Sequence, residues 1–179
     1  MAELNPAHYT QAACHTAQGD RQVLNSLLCS EGVDLAANAL VVTTAGSGLG
    51  VNVAAGGGFI LGDSAATQGY YHVYNDATVL KTHAAADPTN PRIDLVIARV
   101  NDAAYSGVLN TWTLEIVTGV AAPAPVAPAT PATAIVLAQV LITAGLTGPI
   151  PSGNITDTRT AFKLCAENGS GGWGGDVIY

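Results

Sequence analysis

Residues Arg92 to Asn101 (RIDLVIARVN) constrain the fold of this chain more than any other stretch. Ile93, Leu95 and Ile97 fall on one side of an extended backbone, and Val96, Ala98 and Val100 fall on the other. A strand that is apolar on both sides needs both faces covered, which places it in the middle of a sheet rather than at an edge.

The sequence around it supplies further strands. Leu40-Val-Val-Thr-Thr is β-branched and runs into Ala45-Gly-Ser-Gly, a turn composition, while Leu49, Val51 and Val53 alternate with Gly50 and Asn52. Gly56-Gly-Gly reads as a turn feeding the short strand at Phe59. Asn75-Asp76, between Tyr70-Tyr-His-Val-Tyr and Ala77-Thr-Val-Leu-Lys, reads as a two-residue hairpin. Asp87 to Pro91 reads as a proline-bounded loop. Thr111 to Thr118 alternates again, with Trp112, Leu114 and Ile116 on one side and Thr113 and Glu115 on the other.

Helical periodicity is confined to residues 20–29. Val23, Leu24, Leu27 and Leu28 share a face, Asp20 is placed to cap the first turn, and Gly32 suits a left-handed ending. Between Gly119 and Pro131 (GVAAPAPVAPATP) stand four of the nine prolines. Proline removes ladder donors, so this segment is expected to be a strap over a surface. Ala134 to Thr143 is a buried strand, or a short helix running into one.

These readings give a mainly β chain: an antiparallel sandwich or barrel-like module with one short N-terminal helix and a Pro-rich strap. The expected divisions are an N-terminal segment (1–35), a β module (36–120), the strap (121–133), closing β elements (134–164) and a Gly-rich tail (165–179).

Sites for chemistry are sparse. GSGLG at 46–50 lacks the third glycine of a dinucleotide loop, because position 51 is Val, and is better read as a hairpin turn. There is no phosphate-cradling P-loop and no G-x-S-x-G elbow. His8, His15, His72 and His83 have no metal-ligand spacing, so neither metal nor cofactor is expected. Cys14, Cys29 and Cys165 make an odd count without a C-x-x-C pair, which predicts reduced thiols. Asp94, Asp102 and Glu115 have no spacing that forces a shared cleft, so glycosidase chemistry is not expected. Arg92 with Asp94, and Asp157 with Arg159, stand two residues apart on extended backbone, where ion pairs can stitch register. Tyr70, His72 and Tyr74 share a strand face, and with Trp112 and Trp173 they are candidate interface or glycan-contacting aromatics.

Charge narrows the partners. The net charge is −7, and the six Lys and Arg residues are scattered, which excludes nucleic acid as a ligand. The longest apolar stretch, Ala132 to Leu146, is broken by Gln139 and by threonines and falls short of the ~20 residues of a membrane span. The N-terminus has neither a basic start nor an apolar signal core, so no secretion is expected. Charged residues make up 11% of the chain, against ~25% in an ordinary globular protein. Too few charges to cover a monomer, together with small apolar residues that gain little each from burial, favour burial between subunits.

Taken in order, these segments resemble the minor tail or baseplate (tail-tip) proteins of tailed bacteriophages. The resemblance covers residues 20–160. It rests on the helix ending in Glu31-Gly-Val, on LVVTTAGSGLGVNVAAGGGFILGD, and on YYHVYNDATV. Its most specific parts are NPRIDLVIARVND at 90–102, Trp112-Thr-Leu-Glu-Ile-Val-Thr-Gly with the following PAPVAPATPATA, and Ile155-Thr-Asp-Thr-Arg. It implies a non-enzymatic virion structural protein, assembled in the bacterial cytoplasm, that forms a homotrimer and docks other virion proteins. Only CAENGSGGWGGDVIY follows the module, so an adaptor, a tail-tip subunit or a capsid-decorating (head-fibre) protein is expected rather than a large receptor-binding fibre. A carbohydrate-binding host-adhesion module is the alternative. The resemblance carries over no catalytic residue.

Overall fold

The structure, a computed structural model, describes residues 16–106 and 108–165. In chain order it contains helix α1 (Ala17–Leu27), then β1 (Leu28–Ser30), β2 (Gly32–Val33), β3 (Val42–Thr44), β4 (Gly50–Val53), β5 (Gly56–Leu61), β6 (Tyr70–Asn75), β7 (Val79–Thr82) and β8 (Arg92–Asn101). A single helical turn, α2 (Ala103–Ser106), leads to β9 (Thr111–Val117), β10 (Ala134–Ile142), β11 (Ile155–Asp157) and β12 (Lys163–Leu164). The fold is mainly β, and its sheets are antiparallel and do not close into a barrel.

β8 occupies the interior of a four-stranded sheet ordered β11-β10-β8-β9. Its register runs Arg92↔Ile142 to Arg99↔Ala134 on one side and Leu95↔Val117 to Asn101↔Thr111 on the other. Val96 and Ala98 enter the main core, and Leu95 and Ile97 are equally sealed on the opposite face. Two three-stranded sheets, β2-β5-β6 and β3-β4-β7, add Val33, Ile60 and Val73, and Val42, Val51 and Val53, to that same core. β1 and β12 form a separate ribbon. The N-terminal and closing segments are therefore woven into the β module at several points, including a parallel bridge between Val33 and Ala161.

The turn at 46–50 joins β3 to β4 as a hairpin, with Gly46 and Gly48 at positive φ. From Thr118 to Pro131 the chain carries no strand, and Val120 and Val126 stand about 80% exposed, as befits a strap on a surface.

Five expectations are corrected. The helix spans Ala17–Leu27 rather than 20–29, and Thr16 is its cap, its hydroxyl accepting from the Gly19 N–H at 3.0 Å. Leu28 and Cys29 leave the helix because β1 pairs with β12. Gly32 does not end a helix. It lies in β2 at φ +149°, where a Cβ would collide with the Thr160 carbonyl oxygen. Asn75-Asp76 makes no hairpin, since β6 pairs with β5 while β7 crosses to pair with β4. A two-residue primed turn needs positive φ, and neither residue has it. Gly56–Gly58 is strand rather than turn, because β2 packs so close that a Cβ on Gly58 would lie 2.5 Å from the Gly32 carbonyl oxygen.

The fifth correction concerns sulfur. Cys29 and Cys165 form a disulfide across 136 residues, with Cα atoms 4.9 Å apart. An odd cysteine count cannot reveal this pairing, because only the antiparallel ribbon of β1 and β12 brings the two positions within disulfide range. Cys14 and Trp173 lie outside the described residues.

Candidate functional site

The expected ion pair of Arg92 and Asp94 is the centre of a larger buried node. Arg92 Nε donates to Asp94 Oδ1 at 3.0 Å, and its two terminal nitrogens donate to the carbonyls of Ala84 and Ala85 at 2.6 and 2.7 Å. Asp94 Oδ1 also accepts from the Gly119 N–H at 2.9 Å, and Oδ2 lies 2.8 Å from His83 Nδ1. Burial pushes the Asp94 carboxyl up. The hydrogen bonds from His83, Gly119 and Arg92, with the Arg92 charge, outweigh it and hold the group below the usual carboxylate range. The three side chains are at most 5% exposed, so no substrate reaches this His–Asp pair. The node ties β8 to the segment after β7 and to the start of the strap. His83 and Gly119 left no trace in the sequence pattern, since both join it only through the fold.

Asp157 and Arg159 also pair, at 2.7 Å. The Arg159 hydrogen bond is the main influence that lowers the Asp157 carboxyl. Arg159 reaches further and donates to the Ala39 carbonyl at 2.8 Å, fastening the closing segment to the loop before β3.

A third cluster was not legible in advance. Arg21 on α1 lies 4.7 Å from the Tyr71 ring centroid and 5.7 Å from that of Tyr105, contacts Asp102 at 3.3 Å, and donates to the Gln68 carbonyl at 2.7 Å. Tyr71 donates its hydroxyl proton to Asp102 at 2.7 Å. Burial, reinforced by Asp102, pushes the Tyr71 phenol up to about 12. Asp102 is pushed up by desolvation but held low on balance by Tyr71, the Ala104 N–H and Arg21.

Past this cluster opens a cleft of about 310 Å³ between β6 and the adjoining ends of β8 and β9. Trp112 rests against the core and also lines the cleft. His72, Asn101, Asp102, Asn110 and Thr111 also line it. Asn110 Oδ1 accepts from the Ala103 N–H at 2.8 Å, which fixes its amide.

The structure brings His72 and Trp112 to one cleft and His72 and Tyr74 to the next, while Tyr70 lines neither. Tyr70 is 4% exposed, on a strand that α1 packs against, and burial followed by the Glu31 charge raises its phenol pKa. Tyr74, 60% exposed, lines a neighbouring cleft with Phe59, Phe162 and His72, which belongs to both clefts. Phe59 bridges the two, its ring 5.1 Å from His72 and 5.0 Å from Phe162. Asp94, Asp102 and Glu115 do not converge, Glu115 facing Arg99 at 3.8 Å on β8. Among the described residues no three His, Cys, Asp or Glu side chains gather as metal ligands, and no helix is long and apolar enough to cross a membrane.

A groove of about 510 Å³ runs beside the disulfide, lined by Val33, Leu35, Phe162, Lys163 and Leu164 among others. Leu35 and Leu164 are 40% and 69% exposed. Leu27, also exposed, adjoins them through the Cys165 N–H bond to its carbonyl. Asp34 and Phe162 line this groove and the Phe59–Tyr74 cleft alike, so the two form one apolar strip. Comparison with protein-family models, with curated proteins and with solved structures finds no match to this chain.

Proposed function

We propose that this chain is a non-enzymatic structural subunit of a tailed-bacteriophage particle, of the tail-tip or baseplate kind, that associates with copies of itself and docks other particle proteins. The observation that carries the reading is the strip of Leu27, Leu35, Phe162 and Leu164, continued by Phe59 and Tyr74. Large side chains left in water along a continuous groove mark an interaction surface in a soluble protein. Asp34 and Lys163 are the charged side chains in the strip's walls, and charged residues make up only 11% of the chain. The Cys29–Cys165 bridge fits a protein that works outside a reducing cytoplasm, as particle surfaces do. The order of segments shared with tail-tip proteins supplies the choice of particle, and capsid decoration is the alternative position on it.

Light scattering after gel filtration tests self-association. The expected mass is three times 18.0 kDa, falling to one subunit when Leu35 and Leu164 are both changed to Lys. A wild-type monomer at micromolar concentration refutes self-association. Labelled antibody on imaged particles then tests location, and labelling that is absent from tail and capsid alike refutes the virion reading.

A further inference from the structure

We infer that the cleft between β6 and β9 is a binding site for a neutral saccharide, a mono- or disaccharide unit within a longer glycan. This goes beyond the assembly role, which rests on the apolar strip around Phe162 and not on this cleft.

The chemistry of the walls selects the ligand. Trp112 is braced from behind by the core, so its side chain is held in place before any ligand arrives. A rigid aromatic presents contact area with little entropy left to lose. Around it stand amide and hydroxyl groups: Asn101, Asn110 and Thr111, with the exposed His72 opposite. The Ala103 N–H donates to Asn110 Oδ1, which holds the amide in place and leaves its Nδ2 hydrogens as donors. Among the described residues, the Asn101 side chain makes no hydrogen bond within the protein. A pyranose ring has one face of C–H groups and a rim of hydroxyls, so it matches a rigid indole flanked by planar amides.

Charge excludes other ligands. Asp102, the one carboxylate in the wall, already accepts from Tyr71 and from the Ala104 N–H and pairs with Arg21. Arg21 is committed in turn to Asp102, Tyr71 and Gln68. Among the described residues the walls therefore offer no uncommitted charge for a phosphate, a carboxylate or an ammonium group. A volume of about 310 Å³ lies at the small end of ligand sites, which suits one or two sugar rings and not a folded partner. An extended peptide added to the open edge of β9 is the competing occupant, but it would use backbone groups and leave the amides without a role.

The test titrates the purified full chain with neutral trisaccharides of glucose, galactose, N-acetylglucosamine and rhamnose, followed by saturation-transfer NMR and tryptophan fluorescence. A threonine–valine heptapeptide serves as the strand-addition probe. At least one trisaccharide is expected to bind, with affinity weakened at least about tenfold by Trp112→Ala and by Asn101→Ala and partly restored by Trp112→Phe. Asn101→Ala and Trp112→Phe are expected to fold, which thermal melting checks, so they carry the test if Trp112→Ala does not fold. The inference is overturned if no trisaccharide binds at about 10 mM, if binding survives these substitutions, or if only the peptide binds. Because the strip at Leu35 and Leu164 is untouched, the subunit count stays the same whichever result is obtained.

Discussion

Replacing Asp94 by Ala should be among the most destabilising single changes available to this protein. The carboxylate receives three hydrogen bonds, from Arg92 Nε, the Gly119 N–H and His83, at 2.8–3.0 Å, and is 0% exposed. Its removal strands the Arg92 guanidinium, which keeps only the Ala84 and Ala85 carbonyls. Leaving one member of a buried ion pair uncompensated costs about 3–5 kcal/mol. An orphaned Gly119 N–H adds about 1 kcal/mol or more. Together these come to about 4–6 kcal/mol, a large share of the ~5–15 kcal/mol that holds a typical domain. At roughly 2–4 °C per kcal/mol for a chain of this size, the melting temperature should fall by about 8–24 °C. Asp94→Asn keeps the volume and one acceptor but turns an NH₂ toward a donor, and should cost about half as much. Urea unfolding followed by circular dichroism measures both. The pH dependence follows from the depressed carboxyl: its stabilisation is fully present above the unfolded value near 3.8 and is lost as pH falls through the folded value. Asp94→Asn should therefore flatten part of the acid limb, the remainder belonging to Asp87, Asp102 and Asp157, which are also held low. If Asp94→Ala costs less than about 1 kcal/mol, the node is not what binds the strap to β8, and the reasoning fails.

Three further outcomes follow from the same packing. Reducing the Cys29–Cys165 bridge, or changing both residues to Ser, frees a loop of 136 residues; chain entropy sets an upper value near 5 kcal/mol, and typical losses are about 2–4 kcal/mol. Melting with and without reductant measures the loss, and two free thiols at these positions in air-oxidised protein refute the bridge. Gly119→Ala should disrupt the strap, because the new Cβ meets the Ile93 carbonyl oxygen, whereas Gly153→Ala, pointing into open space, should stay within about 0.5 kcal/mol of wild type in the same urea assay. Arg21→Ala should cost about 2–3 kcal/mol by removing a cation from between two aromatic rings and a carboxylate. Limited proteolysis should then cut first within Ala17–Leu27, and simultaneous cleavage of the β core would contradict that local role.

Elements whose evidence is periodic were legible from sequence, and those whose evidence is a meeting of distant residues were not. β8 announces itself because six apolar residues between Ile93 and Val100 are divided between its two faces. The strap does so because prolines cannot join a ladder. Asn75-Asp76 forms no hairpin because a turn-like dipeptide constrains only φ and ψ, while the partner of each strand is set by which core face it can fill. Val73 and Val79 fill the core from different sheets. For the candidate site the division is sharper. Arg92 and Asp94 are two residues apart, so their pairing is written in the local spacing. His83, Gly119 and the Cys29–Cys165 bridge lie 11, 25 and 136 residues from their partners, where no local period reaches.

The same contrast explains why one strand face is divided between three environments while the cleft was not foreseen. Alternation placed Tyr70, His72 and Tyr74 on one side of β6, and they do share it. One side of an edge strand is not one environment, however. α1, held by Arg21, packs against β6 where Tyr70 is buried, His72 stands at the cleft mouth, and Tyr74 projects beside Phe59. Trp112 meets His72 only because β9 pairs with the far end of β8 and carries residues 110–112 back toward β6. The cleft is therefore a product of strand order, and a change that loosens the end of β8, such as Arg21→Ala acting through Asp102, should weaken any ligand held at Trp112 without touching it.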